Sequence, residues 1–253
     1  MVNAAGGSMR VGGVKAKSRF VDHVFTLLES VEYRRVETQA ERDEAFKIRY
    51  DAYRRENFIE ASNDERLYDA AYDESPNGSI FCVFIDGEMA STIRIHVARH
   101  EDEVLPSSAV FGDVITPRLG QGRAIVDSTR FATKLEFSRK HPELAYVSVR
   151  LTWLAAEHGE VDYHLATTRV EHQAFYKRVF GHEAWCEPRD YPLLNRKVVC
   201  LGLDFPAHKS RVEERYPFFR STAAERERIF GFENASFCGA GGWTGTKEVR
   251  AHA

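Results

Sequence analysis

Two arginines of this sequence stand at positions where an arginine side chain needs a partner. Arg94 and Arg130 each lie within a run of apolar or small residues that is typical of a buried strand. A guanidinium group removed from water is costly unless a carboxylate or a ligand neutralises it. The partner is either an internal carboxylate, Asp73 or Asp127, or the carboxylate of a substrate, which matches the planar fork of arginine. The sequence therefore predicts either an anion-binding site or a buried ion-pair cluster on these strands.

The usual signatures of several other chemistries are missing. The sequence has no G-x-S-x-G elbow, no P-loop and no dinucleotide-binding glycine pattern, and its ten histidines include no H-E-x-x-H pair. Its four cysteines are widely spaced and include no C-x-x-C pair, which argues against a disulfide framework and a structural zinc site. The sequence therefore contains no motif that would support a hydrolase, a kinase or a metalloenzyme, and we expect no metal site.

A glycine-containing segment, Arg118–Arg123, imitates the pyrophosphate-binding loop of coenzyme A acetyltransferases. Such a loop follows a strand and opens a helix, so that backbone amides face the phosphates. This segment instead precedes the predicted strand Ala124–Phe131, and we interpret it as a turn.

Composition limits the choice of class. With 253 residues, 43% of them hydrophobic and 29% charged, the chain is long enough for one large α/β domain with extensions. A formal net charge of −3 gives no general attraction to nucleic acid. The sequence lacks an apolar stretch of about eighteen residues and an apolar segment near its start, so we expect neither a membrane span nor a secretory signal, and a cytoplasmic location.

Helices and a hairpin can be read from the first half of the chain. Apolar residues recur at helical spacing from Phe20 to Leu28, and Val31–Glu37 has the pattern of a strand. Thr38-Gln-Ala-Glu41 is a capping box that opens a helix. Two apolar runs, 79–85 and 89–97, are joined by Asp86-Gly87, which favours a hairpin with a type I′ turn.

The second half alternates between strands and helices. Strands are predicted at 124–131, 162–167 and 198–203, with helical patterns between the first two that reach His158. Thr168-Arg-Val-Glu171 has the form of a second capping box, and Gly181 would end the helix that follows. The whole order predicts an α+β fold in which helices flank one mixed, mostly antiparallel sheet.

Three segments follow from this pattern. Residues 1–17 are small and polar and are expected to be disordered, and residues 18–205 form the domain. Residues 206–253 form a C-terminal extension, in which a third capping box, Thr222–Glu225, opens a short helix that ends near Gly231. The segment from Gly239 to Gly245 is expected to be a loose chain.

Several blocks from residue 48 onward combine charged and aromatic residues in a fixed order. They are Ile48-Arg49-Tyr50 with Tyr53 and Glu56, Tyr72-Asp73, Ser91-Thr92-Ile93-Arg94-Ile95 and Asp127-Ser128-Thr129-Arg130-Phe131-Ala132. Together they resemble the blocks of acyl-homoserine-lactone synthases and, more closely, those of long-chain N-acyl amino acid synthases. Two downstream blocks, Ala174–His182 and Glu187–Pro192, are nearer to the second family. The resemblance covers about residues 31–205.

The resemblance implies a GNAT-like fold and an N-acyltransferase that moves a fatty acyl group to the α-amino group of an amino acid. The donor would be a thioester of acyl carrier protein or coenzyme A, a co-substrate rather than a permanently bound cofactor. Lactone synthesis from S-adenosylmethionine is the near alternative. A non-catalytic module that binds an acyl chain or a carrier protein is the distant one.

The resemblance also implies roles for individual residues. In these families the position of Asp127 is more often Glu, on the strand that opens to admit the donor. Asp127 is either a general base, directly or through water, or an ion-pair partner of Arg130, Arg94 or Arg49. Tyr176 either protonates the departing thiolate or is a core aromatic residue.

The remaining implied positions concern substrates and carrier. Substrate-binding residues would be Arg49, Phe58, Asp73, Arg94, Arg130 and Phe131. Three residues separate Asp69 from Asp73, whereas the family's acidic pair usually has two between, so only Asp73 is carried over. The basic residues Lys134, Arg139 and Lys140 follow Phe131 and suit an acidic carrier protein, or else they form a solvated helix face.

Overall fold

An eight-stranded sheet organises the protein in the computed structural model, which describes residues 12–191 and 196–231. The strand order is β1-β2-β3-β4-β5-β8-β6, and β7 also pairs with β8. Every pair is antiparallel except β4 with β5, which is parallel. The strands are β1 (Val31–Arg35), β2 (Gly78–Ile85), β3 (Glu88–Ala98), β4 (Ile125–Thr133), β5 (Tyr163–Arg169), β6 (Glu183–Ala184), β7 (Arg189–Asp190) and β8 (Lys197–Asp204).

Helices cover both faces of the sheet. They are α1 (Gly12–Glu29), α2 (Gln39–Arg55), α3 (Ala70–Asp73), α4 (Ser108–Gly120), α5 (Leu135–Lys140), α6 (Leu144–His158), α7 (Gln173–Val179), α8 (Phe205–Arg215) and α9 (Ala223–Phe230), with 3₁₀ turns at Val170–His172 and Pro217–Phe219. Helix α1 begins at Gly12, before the domain start expected at residue 18. The loose chain expected at 239–245 lies outside the described residues.

The alternation of side chains along β2 explains this three-layer arrangement. Phe81, Val83 and Ile85 belong to the core cluster under α1 and α6, whereas Ile80 and Phe84 pack against α2 on the opposite face. Successive side chains of a strand point to opposite faces, so a continuously apolar strand must be covered on both sides.

Sequence signals that depend on residues close together in the chain predicted the local structure correctly. Thr38 accepts a hydrogen bond from the amide of Glu41, and the Glu41 carboxylate accepts one from the amide of Thr38, which completes the predicted capping box. The predicted hairpin turn is confirmed: Asp86 has φ 52° and Gly87 has φ 84°. Gly181, at φ 91°, ends α7 as expected.

Two local predictions were wrong. Thr168 does not open a helix, because β5 continues to Arg169 and pairs with β8 over that length. Helix α4 was not predicted, and the segment Arg118–Arg123, interpreted as a turn, is helical up to Gly120. The helix contains Pro117, and Phe111 has non-helical angles inside it, so the helical spacing of its apolar residues is interrupted.

The segment after residue 205 packs into the main core. Phe218, Phe219 and Phe230 are at most 1% exposed and belong to the same cluster as Phe81 of β2 and Trp153 of α6. Burying each such ring contributes about 1.5–3 kcal/mol. The described part of the expected extension, up to Gly231, therefore contributes to the core of the domain.

Candidate active site

The parallel pair β4 and β5 separates part of the way along its length. Their ladder ends where Ser128 pairs with Ala166, yet β4 continues to Thr133 and β5 to Arg169. A cavity of about 450 Å³ opens there, within the usual range of about 300–1,000 Å³ for ligand sites. Its surface is mostly apolar, and its walls include Phe58 of the α2–α3 connection and Phe131 of β4.

A β-bulge shapes the β4 wall of the cavity. Arg94 of β3 pairs with Thr129, whereas Thr92 pairs with Ala132, so β4 has one residue more than its partner here. Arg130 lies in the bulge at φ 56°, a left-handed conformation that costs about 1–3 kcal/mol for a residue other than glycine. Such strain is typical of functional sites, and the Arg130 side chain lines the cavity.

Behind this wall lies a buried cluster centred on Asp73. Its Oδ1 accepts hydrogen bonds from Nη1 of Arg49 at 2.8 Å and from Nη1 of Arg94 at 3.1 Å. Its Oδ2 accepts one from the backbone amide of Asp69 at 2.9 Å. Burial alone would raise the pKa of Asp73, but the two guanidinium groups hold that pKa below its ordinary value. The two guanidinium groups therefore favour the ionised form of Asp73, which forms an ion pair with each of them.

The ion pairs of the cluster place Arg49, Asp73 and Arg94 in an internal network. None of these three is among the described residues that line the cavity. The Nε and Nη2 atoms of Arg49 are buried and have no hydrogen-bond partner among the residues that the structure describes. Of the three arginines considered from the sequence, only Arg130 lines the cavity.

Arg130 has a weaker acidic partner than Arg94 does. Its Nη2 lies 3.9 Å from Oδ2 of Asp69, a residue that the family spacing had set aside. The Arg130 side chain is only 6% exposed, and its guanidinium also lies 5.4 Å from the ring centre of Tyr53. A buried guanidinium with one distant carboxylate retains capacity for an anionic ligand.

Asp127 lies on the same strand, and its hydrogen-bond partner is a serine. It is fully buried, and both carboxylate oxygens are bonded by Ser107: the backbone amide donates to Oδ2 at 2.9 Å and the hydroxyl donates to Oδ1 at 2.8 Å. Burial raises the pKa of Asp127, which these hydrogen bonds only partly oppose. No ion pair joins Asp127 to Arg49, Arg94 or Arg130 in residues 12–191 and 196–231. The ion-pair interpretation of Asp127 is wrong for that reason.

Tyr176 of α7 lies both among core aromatic residues and at the cavity, so its position fits either of the two roles that the sequence left open. Its ring contacts those of Phe175 and Phe180, with centroid distances of 5.2 and 6.3 Å, and it also lines the cavity. Burial raises the pKa of Tyr176 to about 12. The phenol is therefore protonated at neutral pH and remains a possible proton donor.

A polar group that sequence reasoning missed borders the same cavity. Arg169, at the end of β5, donates from Nη2 to Oε2 of Glu56 at 3.0 Å and lies 2.8 Å from Nε2 of His172. Its guanidinium stands 4.6 Å from the ring centre of Phe58. Only the family block containing Glu56 gave a signal for this group.

The predicted carrier-binding residues lie on the helix that follows β4. Lys134 precedes α5 and forms an ion pair with Glu44 at 2.7 Å, whereas Arg139 and Lys140 are exposed in the last turn. Ser138 of the same helix lines the cavity. The basic face therefore adjoins the cavity.

The described residues offer neither a cluster of metal ligands nor a helix that could cross a membrane. Within 12–191 and 196–231, no three His, Cys, Asp or Glu side chains are grouped so that they could hold a metal ion. No helix in those ranges has the length and apolar character needed to cross a membrane.

A comparison with protein families identifies a family for most of the chain. The family described as N-acyl amino acid synthase FeeM matches residues 44–204, from within α2 to the end of β8. No curated protein sequence matches significantly.

Several solved structures share the fold. FeeM, an N-acyl amino acid synthase from uncultured soil microbes, has a TM-score of 0.60 and 19% identity, over 74% of this chain and 97% of that one. BjaI, a coenzyme A-dependent acyl-homoserine lactone synthase, has a TM-score of 0.57 and 12% identity, over 75% and 89%. The synthase LasI has a TM-score of 0.51 and 12% identity, over 68% and 88%. The predicted GNAT-like fold, a mostly antiparallel sheet flanked by helices, is confirmed.

Proposed function

This chain belongs to the FeeM family of N-acyl amino acid synthases, and we propose that it transfers a fatty acyl group from a carrier thioester to the α-amino group of an amino acid. It is an N-acyltransferase; the donor carrier and the acceptor are the proposed part. The observation that carries the proposal is the cavity between β4 and β5, mostly apolar and with the guanidinium of Arg130 in its wall. An apolar cavity suits the acyl chain, and a guanidinium suits a carboxylate.

The acceptor carboxylate binds at Arg130 in this proposal. Arg49 and Arg94 already share the carboxylate of Asp73, whereas the ion pair of Arg130 found within residues 12–191 and 196–231 is with Asp69, at 3.9 Å. A bidentate bond to Arg130 would hold the amino acid beside the strand opening, with its amine toward the thioester carbonyl. Phe58 and Phe131 supply apolar walls for the acyl chain in the same cavity.

The acylation step requires removal of a proton from the acceptor ammonium and stabilisation of the oxyanion. Asp127, whose pKa is raised, receives that proton in our proposal. Backbone amides of β4 beyond Ser128, where the ladder with β5 has ended, would hold the oxyanion. Tyr176, protonated at neutral pH, would donate to the leaving sulfur.

Acyl carrier protein is the donor that the surface favours. Arg139 and Lys140 are exposed on α5 beside the cavity, and opposite charges guide the encounter with an acidic protein. Coenzyme A is the alternative donor, and BjaI is a structural neighbour whose description is coenzyme A-dependent.

The test is turnover with one fatty acyl chain on each carrier and a panel of amino acids. Thiol release should require an acceptor with a free α-carboxylate, and mass spectrometry should find the N-acyl amino acid. Esterifying the acceptor carboxylate should abolish the reaction with wild type. Arg130→Lys should raise the acceptor KM, since lysine cannot form the two-pronged bond. Product only from S-adenosylmethionine would assign lactone synthesis instead, and no product from any acceptor would overturn the proposal.

A further inference from the structure

Asp127 is separated from the place where the acceptor amine must react. Its side chain is fully buried, and it is not one of the described residues that line the cavity. Ser107 bonds both carboxylate oxygens and stands beside the buried carboxylate, which itself does not reach the cavity surface. A proton can reach Asp127 only through a group that touches both.

Two hydroxyl groups form that connection. The hydroxyl oxygen of Ser107 lies 2.8 Å from Oδ1 of Asp127 and 2.6 Å from the hydroxyl oxygen of Thr167. Thr167 lies on β5 directly after Ala166, the last residue of the ladder with β4, and it lines the cavity. The path from cavity to carboxylate therefore consists of two hydrogen bonds between side chains.

The number of protons on the carboxylate and on each hydroxyl fixes the direction of these hydrogen bonds. An ionised carboxylate only accepts, so the Ser107 hydroxyl donates to Asp127. Since the single proton of Ser107 is used there, Thr167 must donate to Ser107. The lone pairs of the Thr167 oxygen then face a donor on the cavity side, and an ammonium group is such a donor.

We propose that Thr167 and Ser107 form a hydroxyl relay that carries the proton of the acceptor ammonium from the cavity to Asp127. This inference rests on the proposed function and assigns two residues to it that no motif indicates. Thr167 would touch the acceptor and so be catalytic, whereas Ser107 acts through its neighbours as a positioning residue.

The proton balance of the relay closes over one turnover. The ammonium gives a proton to Thr167 as Thr167 passes its own to Ser107 and Ser107 passes its own to Asp127, which becomes a carboxylic acid. The free amine then attacks the thioester carbonyl, the C–S bond breaks as Tyr176 donates its proton to the leaving thiolate, and the second proton from nitrogen restores the Tyr176 phenol. Asp127 finally returns its proton along the same hydroxyls, in reverse, to water in the cavity.

The relay is consistent with an aspartate, rather than the longer glutamate, at position 127. Asp reaches one methylene less far than the Glu that is more usual in the resembling families, and the Ser107 hydroxyl occupies the intervening place. Burial also raises the pKa of Asp127, which makes its carboxylate a better acceptor for the arriving proton.

The test compares Thr167→Val, which keeps the shape and removes the hydroxyl, with Thr167→Ser, which keeps the hydroxyl. At neutral pH the Val variant should lose about 10²-fold in kcat, the lower end for general base catalysis, with acceptor KM nearly unchanged. Its rate should recover as pH rises, because the acceptor amine then loses its proton to water. The Ser variant should stay within a few-fold of wild type. Thr116→Val, on α4 and outside the cavity lining, is the matched control.

Ser107→Ala supplies the second arm, and thermal unfolding of each variant verifies that it folds. Because the two hydroxyls act in series, Ser107→Ala with Thr167→Val should be no slower than the slower single variant. A Val variant with wild-type kcat and pH profile, or a loss in Thr167→Ser equal to that in Thr167→Val, would overturn the relay while leaving acyl transfer standing. Absence of amide formation by the wild type would overturn both.

Discussion

Two buried aspartates stand within one site and have opposite surroundings. Asp73 bonds Arg49 and Arg94, and its pKa is lowered below the ordinary value of its carboxyl. Among the described residues, Asp127 is hydrogen-bonded by Ser107, and burial raises its pKa. The same side chain is thus a fixed charge in one place and a group able to take up a proton in the other. The partner, rather than the residue type or its depth, decides between a structural and a chemical role.

The largest expected effect comes from removing the fixed charge. Asp73→Asn leaves Arg49 and Arg94 buried without an anion and should lower the free energy of unfolding by about 3–5 kcal/mol. Urea denaturation of wild type and variant measures this. Asp51→Asn is the control, since its ion pair with Lys47 is more than half exposed on both sides and contributes about 0–1 kcal/mol. Equal effects at the two positions would contradict the comparison.

The second prediction concerns the aspartate that takes up a proton. Asp127→Asn keeps the size of the side chain and cannot accept a proton, so kcat should fall by about 10²–10⁴-fold at neutral pH while donor binding is nearly intact. Steady-state kinetics with a carrier-bound acyl donor measures both quantities. Unchanged turnover in a folded variant would remove Asp127 from the mechanism.

Stability as a function of pH distinguishes the two aspartates, because their contributions to the free energy of unfolding should change with opposite sign. The pKa of Asp73 is lowered on folding, so its stabilisation is present above the unfolded pKa of about 3.9 and is lost as pH falls through the folded value. The pKa of Asp127 is raised, so its destabilisation grows as pH rises from about 3.9 to the folded value.

The measurement is the unfolding free energy of wild type, Asp73→Asn and Asp127→Asn from acid to neutral pH. As pH rises, the first variant should lose stability relative to wild type and the second should gain it. Parallel curves for the two variants would show that the two carboxyls titrate alike and would remove the distinction drawn between them.

The smallest effect is expected at the surface, where charges are screened. Reversing Arg139 and Lys140, or Lys134 and Arg139, should lower kcat/KM for the acyl carrier protein donor, mostly through slower association, and leave the coenzyme A donor less affected. The same activity should fall as salt rises, because screening acts over about 8–10 Å at physiological ionic strength. A carrier-protein rate indifferent to both salt and charge reversal would contradict docking at α5.

The sequence identified the fixed-charge region better than the proton-accepting one. Arg94 and Arg130 were conspicuous because charged residues in apolar strands require partners, and Asp73 was named as one of them. Asp69 was missed because the spacing rule of the resembling families did not fit it, although its carboxylate lies 3.9 Å from Arg130.

The parts of the site that could not be predicted depend on contacts between residues that lie far apart in the sequence. Ser107 lies 20 residues from Asp127 and 60 from Thr167 along the chain, so only the packing of the start of α4 against the β4–β5 pair brings their oxygens together. The hairpin at Asp86-Gly87 and the capping box at Thr38 were predictable because every contact they need is local.

The bulge at Arg130 also changes the side of the sheet to which the odd- and even-numbered residues of β4 point. Before it, Ile125 packs toward α4 and Val126 toward α6; after it, the even-numbered Ala132 packs on the side of α2, the side to which odd-numbered Ile125 belongs. The strand therefore switches phase once, at the edge of the cavity. Deleting Arg130 would restore strict alternation and leave Ala132 opposite Thr92, on the α2 side, whereas substituting Arg130 would keep the extra residue and with it the change of phase.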